Sequence, residues 1–122
     1  MDKENIIQSK SYAFALHIVD FYRHLIGKKE YVMSKQLLKS GTSVGDNIAE
    51  GVHGQSKDDF IAKLSIAHKE AHETRFWLRL LRDGGYTSEE EVKALLSEVN
   101  EIIAILTYIL NTARRKVSKA TR

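Results

Sequence analysis

Apolar residues recur along most of the chain at the three- and four-residue spacing of an α-helix, and no segment alternates as a strand would. This pattern predicts four helices, at about 9–26, 32–52, 57–83 and 89–113. The connections between them are short, which favours neighbouring helices that run in opposite directions. We therefore predict a single all-α domain over residues 1–122, an antiparallel up-down-up-down four-helix bundle.

The first helix carries two apolar stripes on opposite sides. One stripe consists of Tyr12, Leu16, Val19 and Ile26. The other consists of Phe14, Ile18, Phe21 and Leu25. Because one side is enough to face a bundle core, the other needs a second partner, such as another subunit. We expect the Phe14 stripe, together with Trp77 of the third helix, to form an oligomer interface. Stacking on exposed bases is a rival use for Trp77 and Phe76.

Two glycines lie inside the predicted second helix, Gly41 and Gly45. Glycine inside a helix costs about 1 kcal/mol relative to alanine, and close helix packing is the usual compensation. With Ser43 between them they match the pattern of a hydrolase nucleophile elbow, but that motif requires a strand before the serine. We interpret both glycines as positions of close helix packing.

The third and fourth helices carry the most regular stripes of apolar residues, which we call seams. Apolar residues from Phe60 to Leu81, and again from Val92 to Ala113, are separated alternately by three and four residues, the 3.5-residue period of supercoiled bundles. Ser56 and Ser88 are good N-caps, and Ser88 with Glu91 forms a capping box.

Charge is unevenly distributed along the chain. The formal net charge is +3, but five of the 19 basic residues lie within 111–122, where no acidic residue occurs. The rest of the chain carries 14 basic and 16 acidic side chains. We predict a basic flexible tail over 114–122, which serves either to bind nucleic acid or to keep the terminus soluble. Cysteine is absent, which excludes disulfides. No signal peptide or membrane-spanning run is evident, so the expected location is the cytoplasm.

A basic ridge lies beside the seam of the third helix. Its members are His68, His72, Arg75, Arg79 and Arg82. Arginine pairs well with phosphate and carboxylate, so the ridge is either a track for a phosphate backbone or a row of ion pairs. The acids for such pairs are available on the fourth helix (Glu89, Glu90, Glu91, Glu98 and Glu101) or on a neighbouring subunit.

Catalytic and metal sites find little support. His68 and His72 have zinc-helix spacing, but Lys69 stands where the zincin motif requires glutamate, and no third ligand is evident. Asn47 and Glu50 with nearby charges of the third helix predict a polar network that fixes helix register. Glu50 and His53 form the single Glu-x-x-His match, too few for a two-metal bundle. We expect no catalytic residues, no metal and no cofactor.

Three segments resemble a known bacterial family. They are residues 11–16 (SYAFAL), 34–51 (SKQLLKSGTSVGDNIAEG) and 69–81 (KEAHETRFWLRLL). The family was first noted as reading frames in intervening sequences of 23S ribosomal RNA genes, and its members were once labelled ribosomal proteins. The resemblance covers about residues 9–110. It implies a four-helix bundle that assembles into a ring, with a pentamer expected. A relative, the accessory protein of diversity-generating retroelements, is a basic pentamer that binds nucleic acid and partners a reverse transcriptase.

The expected function is therefore non-enzymatic. We expect a homo-oligomer that binds RNA or DNA phosphates, or an enzyme that acts on nucleic acid. The residues expected to carry this binding are Arg75, Arg79, Arg82, Arg114, Arg115 and Lys116. The alternative is a structural adaptor that binds another protein through its apolar surface.

Overall fold

The computed structural model describes residues 2–120 and contains four α-helices within them. These are α1 (Lys3–Gly27), α2 (Met33–Val52), α3 (Lys57–Asp83) and α4 (Glu89–Ala120). Contacts join α1 to α2, α2 to α3, α3 to α4 and α4 to α1. In the part of the chain described, no contacts join the diagonal pairs. The fold is an all-α four-helix bundle.

Pairs of residues between the helices show that neighbours are antiparallel. On α1 and α4, His17 meets Glu98 and the later His24 meets the earlier Glu91. On α3 and α4, His68 meets Thr107 and Arg75 meets Asn100. In both helix pairs, a later residue of one helix contacts an earlier residue of the other. The predicted up-down-up-down arrangement is confirmed.

Two helices are longer than predicted. The first begins at Lys3 rather than near residue 9, because Asp2 caps it by accepting a hydrogen bond from the Asn5 backbone N–H at 2.9 Å. The fourth continues to Ala120, so the prediction of a flexible tail is wrong for residues 114–120. The apolar seam ends at Ala113, but arginine and lysine favour helix and suit a helix C-terminus. Residues 121 and 122 of the predicted tail lie outside the described residues.

The apolar side of α1 that faces the core is the one predicted to face another subunit. Phe14, Ile18 and Leu25 are fully buried and Phe21 is almost so. This stripe extends back through Ser11 to the buried Ile7 in steps of three and four, so it lines the whole helix. The assignment of these four residues to an oligomer interface is wrong. The opposite stripe faces outward, and Tyr12 is 68% exposed and Leu16 50%.

The start of α2 depends on a residue that the sequence did not single out. Glu30 is buried, and its carboxylate accepts hydrogen bonds from the backbone N–H groups of Val32, Met33 and Ser34, the last at 2.6 Å. Burial acts to raise the pKa of Glu30, but these hydrogen bonds outweigh it and hold that pKa below its ordinary value. Glu30 thus satisfies N–H groups that a helix leaves without partners.

Gly41 and Gly45 both face α1. A Cβ on Gly41 would lie 2.9 Å from Ile18 Cγ1, and one on Gly45 would lie 3.4 Å from the Ser11 carbonyl oxygen. The absence of a side chain at Gly41 therefore lets α1 and α2 approach more closely than alanine would allow. Within residues 2–120, no helix is both long and apolar enough to cross a membrane.

Candidate nucleic-acid interface

The two flanks of α4 carry different charges. On the flank that faces α1, Glu98 pairs with His17 at 2.6 Å, Glu91 pairs with His24 at 2.5 Å, and Glu101 pairs with Lys10. Lys28 also lies 3.6 Å from Glu91. These acids are therefore engaged with α1.

This pairing leaves the basic ridge of α3 without the partners proposed for it. Among the described residues, none of the α4 glutamates forms a salt bridge with Arg75, Arg79 or Arg82. The expected salt bridges across α3 and α4 within one chain are therefore not formed by the described residues, although the charge of Glu89 still acts on Arg82 at longer range. The reason is the rotation of α4 about its axis, which directs Glu91, Glu98 and Glu101 toward α1 and away from α3.

Across the boundary between α4 and α3, each arginine meets an uncharged polar group of the other helix. Arg75 Nη1 donates to Asn100 Oδ1 at 2.9 Å, and Arg114 Nη2 donates to Ser65 Oγ at 2.9 Å. Between them, His68 Nε2 lies 2.9 Å from Thr107 Oγ1. We call His68, His72, Arg75 and Arg114 the α3–α4 basic face.

Electrostatic coupling shows that these side chains share one environment. Burial lowers the pKa of His68 below its ordinary value of 6.5, and His72, Arg114 and Arg75 lower it further. Burial and then Arg75 likewise lower the pKa of His72. Positive charges close together disfavour a further positive charge, so the two imidazoles are neutral at neutral pH.

The other arginines of the ridge lie in a different setting. Arg82 Nε donates to Asp83 Oδ1 at 2.8 Å, and this hydrogen bond raises the pKa of Arg82. The same hydrogen bond, helped by the charges of Arg82 and Arg79, lowers the pKa of Asp83. A carboxylate thus offsets the positive charge at this end of α3. The predicted ridge divides into a part without carboxylates around Arg75 and a part balanced by Asp83.

The basic residues at the end of α4 also lie on different surfaces of the bundle. Arg115 borders a shallow pocket beside Arg114 and Asn111. Lys116 instead lines a separate cleft of about 550 Å³ at the end of the bundle, together with Lys57 and Tyr108. Successive residues of a helix point about 100° apart, so a run of three basic residues cannot share one face. Of the six predicted binding residues, the structure brings Arg75 and Arg114 onto one face, with Arg115 at its border.

The family to which this architecture belongs is identified by comparison. The model of the 23S rRNA-intervening sequence protein family matches residues 3–108. The chain belongs to this family. Among solved structures, the chain is similar to a protein of unknown function from the S23 ribosomal protein family of Bacteroides thetaiotaomicron VPI-5482. The two are 45% identical, with a TM-score of 0.88 over 90% of this chain and 99% of the other. No curated protein matches the chain.

Part of the basic face lies beyond the segment matched to the 23S rRNA-intervening sequence family. Arg75, His68 and His72 fall inside the matched residues, whereas Arg114 and Arg115 follow the end of the match at residue 108. The arginines contributed by α4 therefore lie outside the matched segment.

Among the described residues, Asn47 and Glu50 do not join in the polar network that was predicted for them. Asn47 Nδ2 donates to the Ser43 carbonyl of its own helix at 2.9 Å, and Glu50 lies 3.5 Å from Lys63. Glu70 instead interacts with Glu73, and burial followed by that neighbouring charge raises the pKa of Glu70. Asn47 and Glu50 have separate partners because they differ by three positions at the edge of α2 and contact different turns.

Phe76 and Trp77 of α3 differ in their exposure. Their ring centroids are 5.2 Å apart in an edge-to-face arrangement. Phe76 is 55% exposed, whereas Trp77 is partly buried against the core, and its shielded Nε1 has no acceptor among the described residues. Trp77 therefore contributes more to the core than was predicted from its position off the seam, and Phe76 is the exposed member of the pair.

No sequence motif marks the polar residues of α3 and α4 that hold the basic face. Ser65, Asn100 and Thr107 are single polar positions of a kind found on any helix surface. Their role depends on how α4 is rotated about its axis. The apolar seam shows which side of α4 faces the core, but it does not determine that rotation more precisely. Among residues 2–120, no three His, Cys, Asp or Glu side chains are grouped so that they could hold a metal ion.

Proposed function

We propose that this member of the 23S rRNA-intervening sequence family is a non-enzymatic protein that binds RNA or DNA phosphates through its α3–α4 basic face. The observation that carries the proposal is the separation of charge around α4. Glu91, Glu98 and Glu101 pair with α1, whereas at the boundary with α3 Arg75 donates to the uncharged Asn100 and Arg114 donates to the uncharged Ser65. A cytoplasmic location, where such phosphates are accessible, is part of this proposal. An enzyme that acts on nucleic acid is a further partner for the same assembly.

The dimensions of the face suit a polyphosphate chain. Arg114 is anchored at Ser65 and Arg75 lies ten residues further along α3. At 1.5 Å per residue this separation is about 15 Å along the helix. Phosphates of one duplex strand recur about every 3.4 Å along the axis, so this length of α3 matches about four of them. Each guanidinium has five N–H donors and uses only one or two in the contacts described above.

The test is a fluorescence anisotropy titration with labelled single-stranded and duplex RNA and DNA. The variant carries Arg75→Gln and Arg114→Gln. The matched control carries Arg23→Gln and Lys35→Gln, which remove the same charge from exposed positions on α1 and α2. We expect the first variant to weaken binding at least tenfold and the control to weaken it less than threefold. Equal losses in the two variants would show that only net charge matters and would contradict the assignment.

We further propose that the chain forms a homo-oligomer, with a pentamer expected, through the outward stripe of α1. Tyr12 and Leu16 are exposed there. Beside them, Tyr12, Ala15, Thr42 and Gly45 line a groove of about 590 Å³ between α1 and α2. An apolar side chain of a second copy would fit this groove, since large exposed apolar groups commonly mark contact surfaces.

Light scattering tests the assembly. The expected mass is about five times the 13.9 kDa of one chain, and Leu16→Lys should reduce it to that of smaller species. The control Val32→Lys changes an apolar residue that is even more exposed but does not belong to the outward stripe of α1, and should keep the wild-type mass. An assembly unaffected by Leu16→Lys would place the contact elsewhere.

A second candidate function is that of an adaptor for another protein. It is favoured by the exposure of Phe76 and Leu80, which lie one turn apart on α3 and form an apolar surface. A partner retained by the wild type at high salt, and released by Phe76→Ser with Leu80→Ser, would support this candidate. Retention unaffected by those substitutions would contradict it.

A further inference from the structure

The protonation state of His68 follows from its partner. Thr107 Oγ1 donates its one hydrogen to the Ile103 carbonyl oxygen at 2.7 Å, the usual bond of a helical threonine to the preceding turn. Thr107 Oγ1 is therefore an acceptor toward His68, and His68 Nε2, at 2.9 Å, must carry the donating proton. In the neutral ring the proton is on Nε2, and Nδ1 keeps its lone pair.

The tautomer of His72 is determined in the same way. A guanidinium has only donors, so the contact of 2.9 Å between Arg75 Nη2 and His72 Nδ1 requires Nδ1 to be the acceptor. The proton of neutral His72 is then on Nε2. Protonation of Nδ1 would break this hydrogen bond and release one N–H group of Arg75. The rings of His68 and His72 meet edge to face, with centroids 4.7 Å apart.

All the charged groups that act on these imidazoles are basic. His68 is affected by His72 and Arg75 from its own helix and by Arg114 from α4, and His72 is affected by Arg75. From α4, the other groups in contact with this face are the uncharged Thr107 and Asn100. Within the described residues, no carboxylate acts on either ring to favour its charged form. An anion supplied from outside would provide that missing compensation.

We propose that His68 and His72 take up protons when phosphate groups bind to the α3–α4 basic face, so that binding strengthens as pH falls. The inference rests on the function proposed above and adds the regulation of the same site by pH. A bound phosphate oxygen would accept hydrogen bonds from His68 Nδ1–H of the protonated ring and from the N–H group that Arg75 releases. By linkage, a ligand that raises the proton affinity of a site binds more tightly when protons are abundant.

The expected size of the effect follows from the number of protons. Each proton taken up on binding can change the dissociation constant by up to tenfold per pH unit. Between about pH 8 and pH 5.5, two histidines of lowered pKa should together strengthen binding by about tenfold or more. Above the range in which the rings titrate, the profile should be flat.

The experiment measures binding of a labelled single-stranded oligonucleotide at constant salt across that pH range. The variant carries His68→Gln and His72→Gln, because glutamine can still donate to Thr107 and accept from Arg75. The control is His53→Gln, an exposed histidine in the loop after α2. For each protein the acid enhancement is the ratio of its own affinities at pH 5.5 and pH 8, so that a change in basal affinity does not enter it. We expect the variant to lose at least two thirds of this enhancement, whereas the control keeps it.

The outcomes separate the inference from the function on which it rests. A flat wild-type profile, or an acid enhancement that survives in the His68→Gln, His72→Gln variant, overturns the inference while binding itself remains. Absence of binding by the wild type at every pH overturns both. Long-range ¹H–¹⁵N spectra of the imidazoles give a readout independent of affinity. The pKa values of His68 and His72 should lie below 6.5 in the free protein and rise when oligonucleotide saturates it, and unchanged values contradict the inference.

Discussion

Ile18 of α1 packs directly on the backbone of Gly41 in α2, so closely that a Cβ at position 41 would lie 2.9 Å from the Ile18 side chain. Ile18 is fully buried and branched at Cβ, so it has little room to move. Overpacking usually costs about 1–3 kcal/mol, and the higher helix propensity of alanine offsets up to about 1 kcal/mol of this cost. We therefore predict that Gly41→Ala lowers the free energy of unfolding by the difference between the two. Urea unfolding at fixed protein concentration measures the difference.

Gly45 provides the internal comparison for that substitution. Its added Cβ would meet the Ser11 carbonyl oxygen at 3.4 Å, an ordinary contact. Gly45→Ala should therefore be neutral or stabilise the protein by up to about 1 kcal/mol. Equal destabilisation by the two substitutions would contradict the close packing assigned to Gly41 alone.

The two stripes of α1 should respond differently to truncation. Phe14 is fully buried in the core, so Phe14→Ala should cost about 3–5 kcal/mol in the free energy of unfolding. Leu16 is half exposed, and Leu16→Ala should change the stability of the isolated subunit by less than about 0.5 kcal/mol. Chemical unfolding at a protein concentration low enough to dissociate any oligomer measures both. A larger loss for Leu16→Ala would reverse the assignment of the two stripes.

Glu30 should stabilise the start of α2 in a manner that depends on pH. Its pKa is lowered in the folded protein, so its stabilisation is present above the unfolded pKa and is lost as pH falls through the folded value. We predict that Glu30→Gln costs about 1–2 kcal/mol at pH 7, because an amide cannot accept all three backbone N–H bonds with its single oxygen. Thermal unfolding of both proteins should show the gap narrowing below about pH 4.5. A gap that is independent of pH would exclude the charged carboxylate as its cause.

Glu91 joins the start of α4 to α1. The Ser88 backbone N–H donates to its carboxylate at 2.9 Å, and this bond, with further ones from the Ser88 side chain and His24, lowers the pKa of Glu91 to about 2. Because the folded pKa is depressed, Glu91→Gln should lower the melting temperature at neutral pH, and the deficit should shrink from about pH 4.5 toward pH 2. Glu90→Gln, in the same helical turn, is the control and should have a smaller effect. Direct NMR titration that placed the Glu91 pKa near 4.5 would contradict the prediction.

Periodicity predicts the helices of this fold well because their seams are long and regular. The third helix was predicted to begin and end where it does, at 57 and 83, since Ser56 caps it and two glycines follow it. The end of α4 was missed because it lies beyond the apolar seam, where basic residues of high helix propensity extend the helix. The start of α1 was missed because its buried stripe was traced back only to Phe14, although it continues through Ser11 to Ile7 and Asp2 caps the first turn. Apolar spacing indicates which part of a helix is buried, but it gives no information about helical turns that extend beyond the core.

The candidate site could be predicted only in part, because it depends on how each helix is rotated about its axis. Arg75 was identified from the basic ridge, but the pairing of the α4 acids with α1 could not be seen in a single sequence. For the same reason, the sequence alone did not show whether the Phe14 stripe or the Leu16 stripe faces the core, since both have helical spacing. The stripe that extends back to Ile7 in steps of three and four was the one to place in the core. Glu30 lies outside every motif, and its hydrogen bonds come from the fold of the α1–α2 loop.

The most direct test of the α3–α4 basic face is the dependence of oligonucleotide affinity on salt between about 50 and 200 mM. The slope of log affinity against log salt counts the phosphates neutralised by basic side chains. For the Arg75→Gln, Arg114→Gln variant we predict a slope smaller than that of the wild type by about two, one for each phosphate contact removed. A slope identical to that of the wild type would show that these arginines contact no phosphate and would contradict the account.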